Sequence, residues 1–214
     1  MGMTDSAITG SVVRDGISTQ FVLASASPAR AALLRQIGLQ FEVIPSRICE
    51  DDITSQGPID KVTSLSQEKA RHVAETFRDK VIIAADTVVV LDDLILGKPE
   101  NQDAAKDMLS LLSGRWHQVI TGLTVLDTGT GKAGSCHEVT LVRMRELTPD
   151  AIRAYVRSGE PLGKAGAYAI QGRGGVLIEG IKGCYFNVVG LPLAKLVNIF
   201  YSIGINIYDE IFRG

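Results

Sequence analysis

In the stretch V-I-I-A-A-D-T-V-V-V-L, residues 81–91, a single carboxylate, Asp86, interrupts an otherwise apolar and largely β-branched run. Such a run reads as a strand buried on both faces. A charge there is costly unless it is paired, binds a metal or opens into a cleft. Asp86 and Lys98 are attached to one apolar hairpin, so a structural ion pair and a functional carboxylate are both open readings. Upstream, F-V-L-A feeds S-A-S-P-A-R, and a strand running into a capped helix presents free N–H groups and positive dipole to an anion. Arg30 in that first turn opposes the dipole preference for acids; a bound anion would account for it, and a surface arginine on a well-capped helix is the bland alternative. Lys69 lies four residues from both Leu65 and Val73 and shares their side, either snorkelling from the core edge or aimed into a site. The Gly-rich A-G-A-Y-A-I-Q-G admits close approach of backbone to a ligand, and Gln171 offers donor and acceptor groups to a base edge; a tight β-bend is the plainer reading. Taken together, Arg30, Lys69 and Lys98 suit phosphates, while Glu50 and Asp86 suit Mg²⁺ and the activation of water. That combination describes hydrolysis of a phosphoanhydride.

The elements that must carry these residues follow from capping and periodicity. After the F-V-L-A strand, Ser27 is an N-cap, Pro28 suits the first helical position and Gly38 the stop, with Leu33, Leu34 and Ile37 on the apolar face. F-E-V-I-P is a second strand, followed by the acidic loop C-E-D-D. Residues 59–77 read as a helix with Val62, Leu65, Val73 and Phe77 inward. After the Asp86 strand, Asp92-Asp93 turns and L-I-L returns as a hairpin partner ending at Gly97-Lys98-Pro99. A helix over 102–113 closes at Gly114, and strands over 117–126 and 137–145 flank the loop T-G-T-G-K-A-G-S. A helix from Thr148 to Ser158 follows, then the Gly-rich stretch, short strands, and a last helix opened by G-L-P-L-A-K-L. Intermixed strands and helices make the class α/β with a mixed sheet. Residues 1–19 read as a disordered polar tail, M-G-M-T-D-S matching only a loose myristoylation pattern; residues 20–214 read as one domain.

Composition narrows the function classes. The 214 residues are 45% hydrophobic and 21% charged, with 22 Lys and Arg against 24 Asp and Glu. That balance argues against a surface built to wrap nucleic acid, and no apolar stretch reaches transmembrane length. Cys49, Cys136 and Cys184 fit no metal pattern and read as reduced, buried thiols of a cytosolic chain. Gly129-Thr130-Gly131-Lys132-Ala133-Gly134 fits G-x-G-x-x-G, but a strand rather than a helix follows, so it reads as a hairpin turn. It also fails as a P-loop, since Leu126 stands where the first glycine belongs. His72, His117 and His137 lack metal-ligand spacing and read as surface or hydrogen-bonded histidines.

Seven segments in order resemble the Maf family of nucleoside triphosphate pyrophosphatases: L-A-S-A-S-P-A-R-A-A-L-L, Q-E-K-A, A-A-D-T-V-V, L-G-K-P, L-S-G-R-W-H-Q-V-I-T-G, K-A-G-A-Y-A-I-Q-G and N-V-V-G-L-P-L. The resemblance implies a fold related to inosine triphosphatases, with a twisted mixed sheet and flanking helices in two lobes around a cleft. It also implies a cytoplasmic homodimer, a divalent metal (Mg²⁺ or Mn²⁺), a nucleoside triphosphate substrate and release of pyrophosphate. On the family pattern Asp86 matches the catalytic base, with Lys98 and Glu50 beside it, Glu50 and Asp86 as metal ligands, and Asp86 ending its strand at the cleft. Ser25, Arg30, Glu50, Lys69 and Lys98 match polar positions lining the phosphate and metal site. Thr87 and Gln171 match the branch that favours dTTP, UTP and modified pyrimidine nucleotides, whereas Ala29 stands where that branch carries a further arginine. The 7-methyl-GTP branch fits less well. A nucleotide-binding regulator of septum formation and cell division is the non-enzymatic alternative. Gly163 replaces an acid common before K-A-G, and nothing in the sequence accounts for that change.

Overall fold

The computed structural model describes residues 20–50 and 53–212; the expected tail over 1–19 lies outside the described residues. Its centre is a seven-stranded mixed sheet. Three of its strands are β1 (Phe21–Leu23), β2 (Phe41–Val43) and β3 (Val81–Leu91). They are followed by β4 (Leu94–Leu96), β5 (Trp116–Asp127), β6 (Ala133–Met144) and β7 (Ile178–Lys182). The strands lie in the order β2-β1-β3-β5-β6-β7, with β4 paired to β3. β1 is parallel to both β2 and β3, and the rest of the sheet is antiparallel.

Helix α1 (Pro28–Gln36) connects β1 to β2, and α2 (Pro58–Ala74) connects β2 to β3. Because β2 and β3 flank β1 on opposite sides, the two helices cover opposite faces. In open α/β sheets such a switch point marks where ligands bind, beyond the carboxyl end of the strand. Alternation along β3 sorts its residues. Ile82 and Ala84 pack with Ala70 and Val73 of α2, and Val88 and Val90 with Val62. On the other face Val81, Ile83 and Ala85 join α1, α6 (Leu193–Ser202) and α7 (Ile207–Ile211). Val89 and Leu91 join α3 (Gln102–Leu112) and α4 (Pro149–Arg157). Two clusters therefore share one sheet face, and the cleft opens between them.

The caps behave as their chemistry requires. Ser27 accepts from the Arg30 N–H, Asn101 from Asp103 and Ala104, and Thr148 from Ala151, each ahead of its helix.

Four expectations are corrected. Asp86 does not end its strand: β3 continues five residues beyond it. The second helix ends at Ala74 instead of residue 77. The loop T-G-T-G-K-A-G-S is shorter than expected: β6 begins at Ala133, so its last three residues are strand and only its first five form the turn. After the Gly-rich stretch there is one strand and then a helical turn, α5 (Tyr185–Val189), and α6 is followed by α7. The three cysteines are unpaired, as expected, but Cys49 is exposed and the others only part-buried. Among the described residues no helix is long and apolar enough to cross a membrane.

Candidate active site

Asp86 reaches a cleft from mid-strand because its neighbours stop. On one side β3 pairs continuously with β5, Asp86 facing Gly122. On the other, β1 pairs only as far as Ile83 and β4 only from Val89. The edge between them is open, and a cavity of about 440 Å³ lies against it. Asp86 and Thr87 point to opposite faces of the sheet, yet both line this cavity. So do the other expected residues, Ser25, Arg30, Glu50, Lys69, Lys98 and Gln171. All eight are brought together.

The Asp86 side is an ion cluster. The Lys69 ammonium lies 2.6 Å from Asp86 Oδ1 and 2.7 Å from Glu50 Oε1. Asp86 and Lys69 are buried, whereas the Glu50 side chain is 47% exposed. Burial alone would raise the Glu50 carboxyl, but the Lys69 hydrogen bond and charge, with Lys98 and Arg30 further off, hold it below the usual carboxylate range. Asp86 is therefore paired with Lys69, on the helix across the sheet face. Lys98, its hairpin neighbour in sequence, is exposed on the cavity wall. Helix α2 sits close enough to make this pair because of Gly122: a Cβ there would lie 2.1 Å from the Val62 carbonyl oxygen. Glycine opposite Asp86 thus sets the depth of the helix that carries Lys69.

The Thr87 side is a hydrogen-bonded clamp. Arg30 donates from Nε to the Gly190 carbonyl at 2.8 Å, from Nη1 to Ser25 Oγ at 3.0 Å and from Nη2 to Thr87 Oγ1 at 2.9 Å. These partners account for an arginine in the first turn of α1 without an anion. Burial pushes its pKa down, opposed by the charges of Asp86 and Glu50. Thr87 continues the chain to Thr121 Oγ1 at 2.9 Å, which bonds the Asn187 carbonyl at 3.3 Å. Asn187, fully buried, donates to the Val119 carbonyl and to Thr140 Oγ1, both at 2.9 Å, tying α5 to the sheet.

The opposite wall comes from the Gly-rich loop: Gly163, Lys164, Ala165, Tyr168, Ala169, Ile170 and Gln171. Behind it, His117 Nε2 and the Tyr168 hydroxyl are 2.8 Å apart with their rings edge-on, and burial lowers the His117 pKa to about 4. His117 is thus a hydrogen-bonded core histidine, while His72 and His137 are exposed.

Sequence reasoning missed Lys61 and Lys164 as lining cations, Gly122 as the residue that seats α2 for the ion cluster, and Asn187 and Gly190 as residues that fix the clamp. The last three lie inside V-I-T-G and N-V-V-G, so the signal was present as motif without a role. Among the described lining residues, Arg30, Lys61, Lys69, Lys98 and Lys164 stand against two carboxylates, a charge balance that suits a polyanion. Glu50 and Asp86, both within contact of one cation, also form the kind of carboxylate pair that holds Mg²⁺ when substrate phosphates supply further oxygens. No group of three or more His, Cys, Asp or Glu suited to a metal occurs among the described residues.

The family model described as Maf-like protein matches residues 20–203. A dTTP/UTP pyrophosphatase of Moorella thermoacetica is 47% identical over 193 residues, 90% of this chain and 100% of that protein. The dTTP/UTP pyrophosphatase of Ruminiclostridium cellulolyticum is 49% identical over 183 residues, 85% of this chain and 95% of that one. A looser structural likeness, with TM-score 0.41 and 16% identity, links 58% of this chain to 71% of the Staphylococcus aureus Ham1 protein.

Proposed function

The chain belongs to the Maf-like protein family, and we propose that it is a nucleoside triphosphate pyrophosphatase. Its substrates are dTTP, UTP and related modified pyrimidine nucleotides, and its products are the nucleoside monophosphate and pyrophosphate. The observation that carries this reading is a buried carboxylate, Asp86, held at the open edge of β3 in a cavity whose described charges are predominantly cationic.

In the proposed reaction Asp86 takes a proton from a water whose oxygen attacks the α-phosphorus. The bond from that phosphorus to the α–β bridging oxygen breaks, and its electron pair leaves with pyrophosphate. Lys69 keeps Asp86 oriented at the start of the step, at 2.6 Å. Lys98, Lys61 and Lys164 meet the negative charge of the phosphate chain. Arg30 places Ser25 and Thr87 and has guanidinium N–H groups beyond its three protein bonds for the same purpose. Glu50 and Asp86 are the residues that would hold Mg²⁺ or Mn²⁺, which supplies charge neutralisation at the phosphates. Thr87 and Gln171 are the marks of the pyrimidine branch, and Gln171 stands on the loop wall to read the base. The reading includes a cytoplasmic homodimer, checked by light scattering of the purified chain and by cell fractionation.

The test is incubation with Mg²⁺ and a panel of dTTP, UTP, CTP, 5-methyl-UTP, 7-methyl-GTP, GTP and ITP, assaying pyrophosphate and orthophosphate separately. Pyrophosphate from dTTP or UTP, reduced about 10²–10⁴-fold in Asp86→Asn, is the expected result. Preference for 7-methyl-GTP would move the protein to the other branch. Binding without turnover would replace the enzyme by a regulator of septum formation.

A further inference from the structure

Glu160 lies beyond the C-terminus of α4 and outside the cavity lining. Both of its carboxylate oxygens are nevertheless used on the loop that carries Gln171. Oε1 accepts from the Arg173 N–H at 2.9 Å, and Oε2 from the Gly174 N–H at 2.8 Å and from the Tyr155 hydroxyl at 2.8 Å. That hydroxyl in turn accepts from the Ala169 N–H at 3.1 Å. The backbone is thereby gripped at 169, 173 and 174, on both sides of Ile170 and Gln171.

The glycines give an independent observation. A Cβ on Gly172 would lie 2.0 Å from Glu160 Oε1, and one on Gly174 would lie 2.5 Å from the Tyr155 hydroxyl. These positions are bare because the two side chains nest directly against the loop backbone. Burial would raise the Glu160 carboxyl, yet the N–H groups of Arg173 and Gly174 and the Tyr155 hydroxyl leave it below the usual carboxylate range.

We propose that Glu160 and Tyr155 are positioning residues that hold the 169–174 loop so that Gln171 meets the nucleobase, making them determinants of base recognition although neither touches the cavity. This rests on the pyrimidine-nucleotide reading above. The grip acts on binding of the base and leaves the phosphate cluster on β3 and α2 untouched. Loss of a charged acceptor for two backbone N–H groups should therefore appear in KM more than in kcat, and only for ligands that carry a base.

The experiment compares Glu160→Ala, Glu160→Gln and Tyr155→Phe with wild type. It measures kcat and KM for dTTP and UTP, and the inhibition constant of inorganic tripolyphosphate, which has no base. Glu160→Ala, which removes all three hydrogen bonds to this carboxylate, should raise both KM values about tenfold or more, at least the effect of one hydrogen bond to a charged group, and leave the tripolyphosphate constant unmoved. Glu160→Gln should recover part of the loss, since its amide oxygen still accepts from one N–H. Tyr155→Phe should fall between Glu160→Gln and wild type. If Glu160→Ala does not fold, the other two variants are read by the same criterion. An unchanged KM in the variants overturns the proposal, as does a tripolyphosphate constant that rises in step with KM. Absence of pyrimidine triphosphate turnover in wild type would instead sink the reading on which it rests, and the proposal with it.

Discussion

Where strands and helices wall the cavity, its polar side chains are held mainly by one another; where the Gly-rich loop walls it, backbone is held by side chains from behind. Lys69 bridges Asp86 and Glu50, and Arg30 joins Ser25 and Thr87, all across elements fixed by two apolar cores. Gln171, by contrast, stands on a segment whose place depends on Glu160, Tyr155 and the His117–Tyr168 pair. The first wall suits a task that is the same for every triphosphate. The second can be re-aimed without disturbing the first, which is where substrate choice belongs. Four tests break or sharpen this division.

The largest effect is expected from removing the shared cation. In Lys69→Met, Asp86 keeps its burial and loses its partner, a change that typically costs about 3–5 kcal/mol. Glu50 adds little, because it is nearly half exposed. Urea denaturation at neutral pH should show this loss, and Lys69→Met with Asp86→Asn should regain much of it. If the single variant is as stable as wild type, the ion cluster does not hold the strand wall together.

Acid should separate the walls by pH. Burial holds the folded-state pKa of His117 at about 4, against an ordinary 6.5. Between those values the unfolded chain binds a proton that the folded chain refuses, so stability falls as pH drops from 6.5 to 4. The full loss is about 3 kcal/mol. Glu50 is shifted down from an ordinary value of 4.5, so its contribution is present above that value and is lost only as pH falls below it. The loop side should therefore weaken first. Denaturation midpoints measured from pH 7 to 4.5 should decline in wild type and decline less in His117→Gln; parallel curves would remove His117 from the account.

Much of the strand wall was legible in the sequence because its residues are anomalies there. An aspartate in a β-branched run, a lysine on an apolar helix side and an arginine in a helix's first turn each demand a partner, and the structure supplies all three partners. What the sequence did not reveal is which partner. Asp86 pairs with Lys69, seventeen residues away on another element, because β1 and β4 leave the β3 edge open and Gly122 lets α2 approach. These are consequences of register and close packing, which no local pattern carries. The same limit separates expectation from structure at Asp86: the sequence suggests a strand end at the cleft, whereas a short neighbouring strand suffices. Glu160 left still less trace, since its function is to bond backbone N–H groups that every residue possesses.

Glycine substitution should expose the contrast in stiffness. A Cβ at Gly122 meets backbone, the Val62 carbonyl oxygen at 2.1 Å, so Gly122→Ala must move α2. Overpacking of this kind costs about 1–3 kcal/mol, and turnover should fall as Lys69 is displaced. At Gly172 the clash is with the end of the Glu160 side chain, which can swing away. Gly172→Ala should leave the melting temperature nearly unchanged while raising KM for dTTP. Equal loss of stability in both variants would mean that the loop is as rigid as the sheet.

The smallest effect concerns a place where the strand wall differs from the pattern that the sequence resembles. Ala29 lines the cavity in the first turn of α1, where the pyrimidine branch carries an arginine. Restoring it has opposing consequences. A second cation against the helix dipole costs about 0.3–1 kcal/mol, so Ala29→Arg should melt slightly earlier. The added guanidinium gains a charge-assisted contact with the phosphates, lowering KM about threefold to tenfold for dTTP and UTP alike, and more at low salt than at high. Because that contact is with the phosphate chain, the tripolyphosphate inhibition constant should fall by the same factor. A gain confined to one base would show that position 29 reads the nucleoside, and that the division between the two walls is drawn in the wrong place.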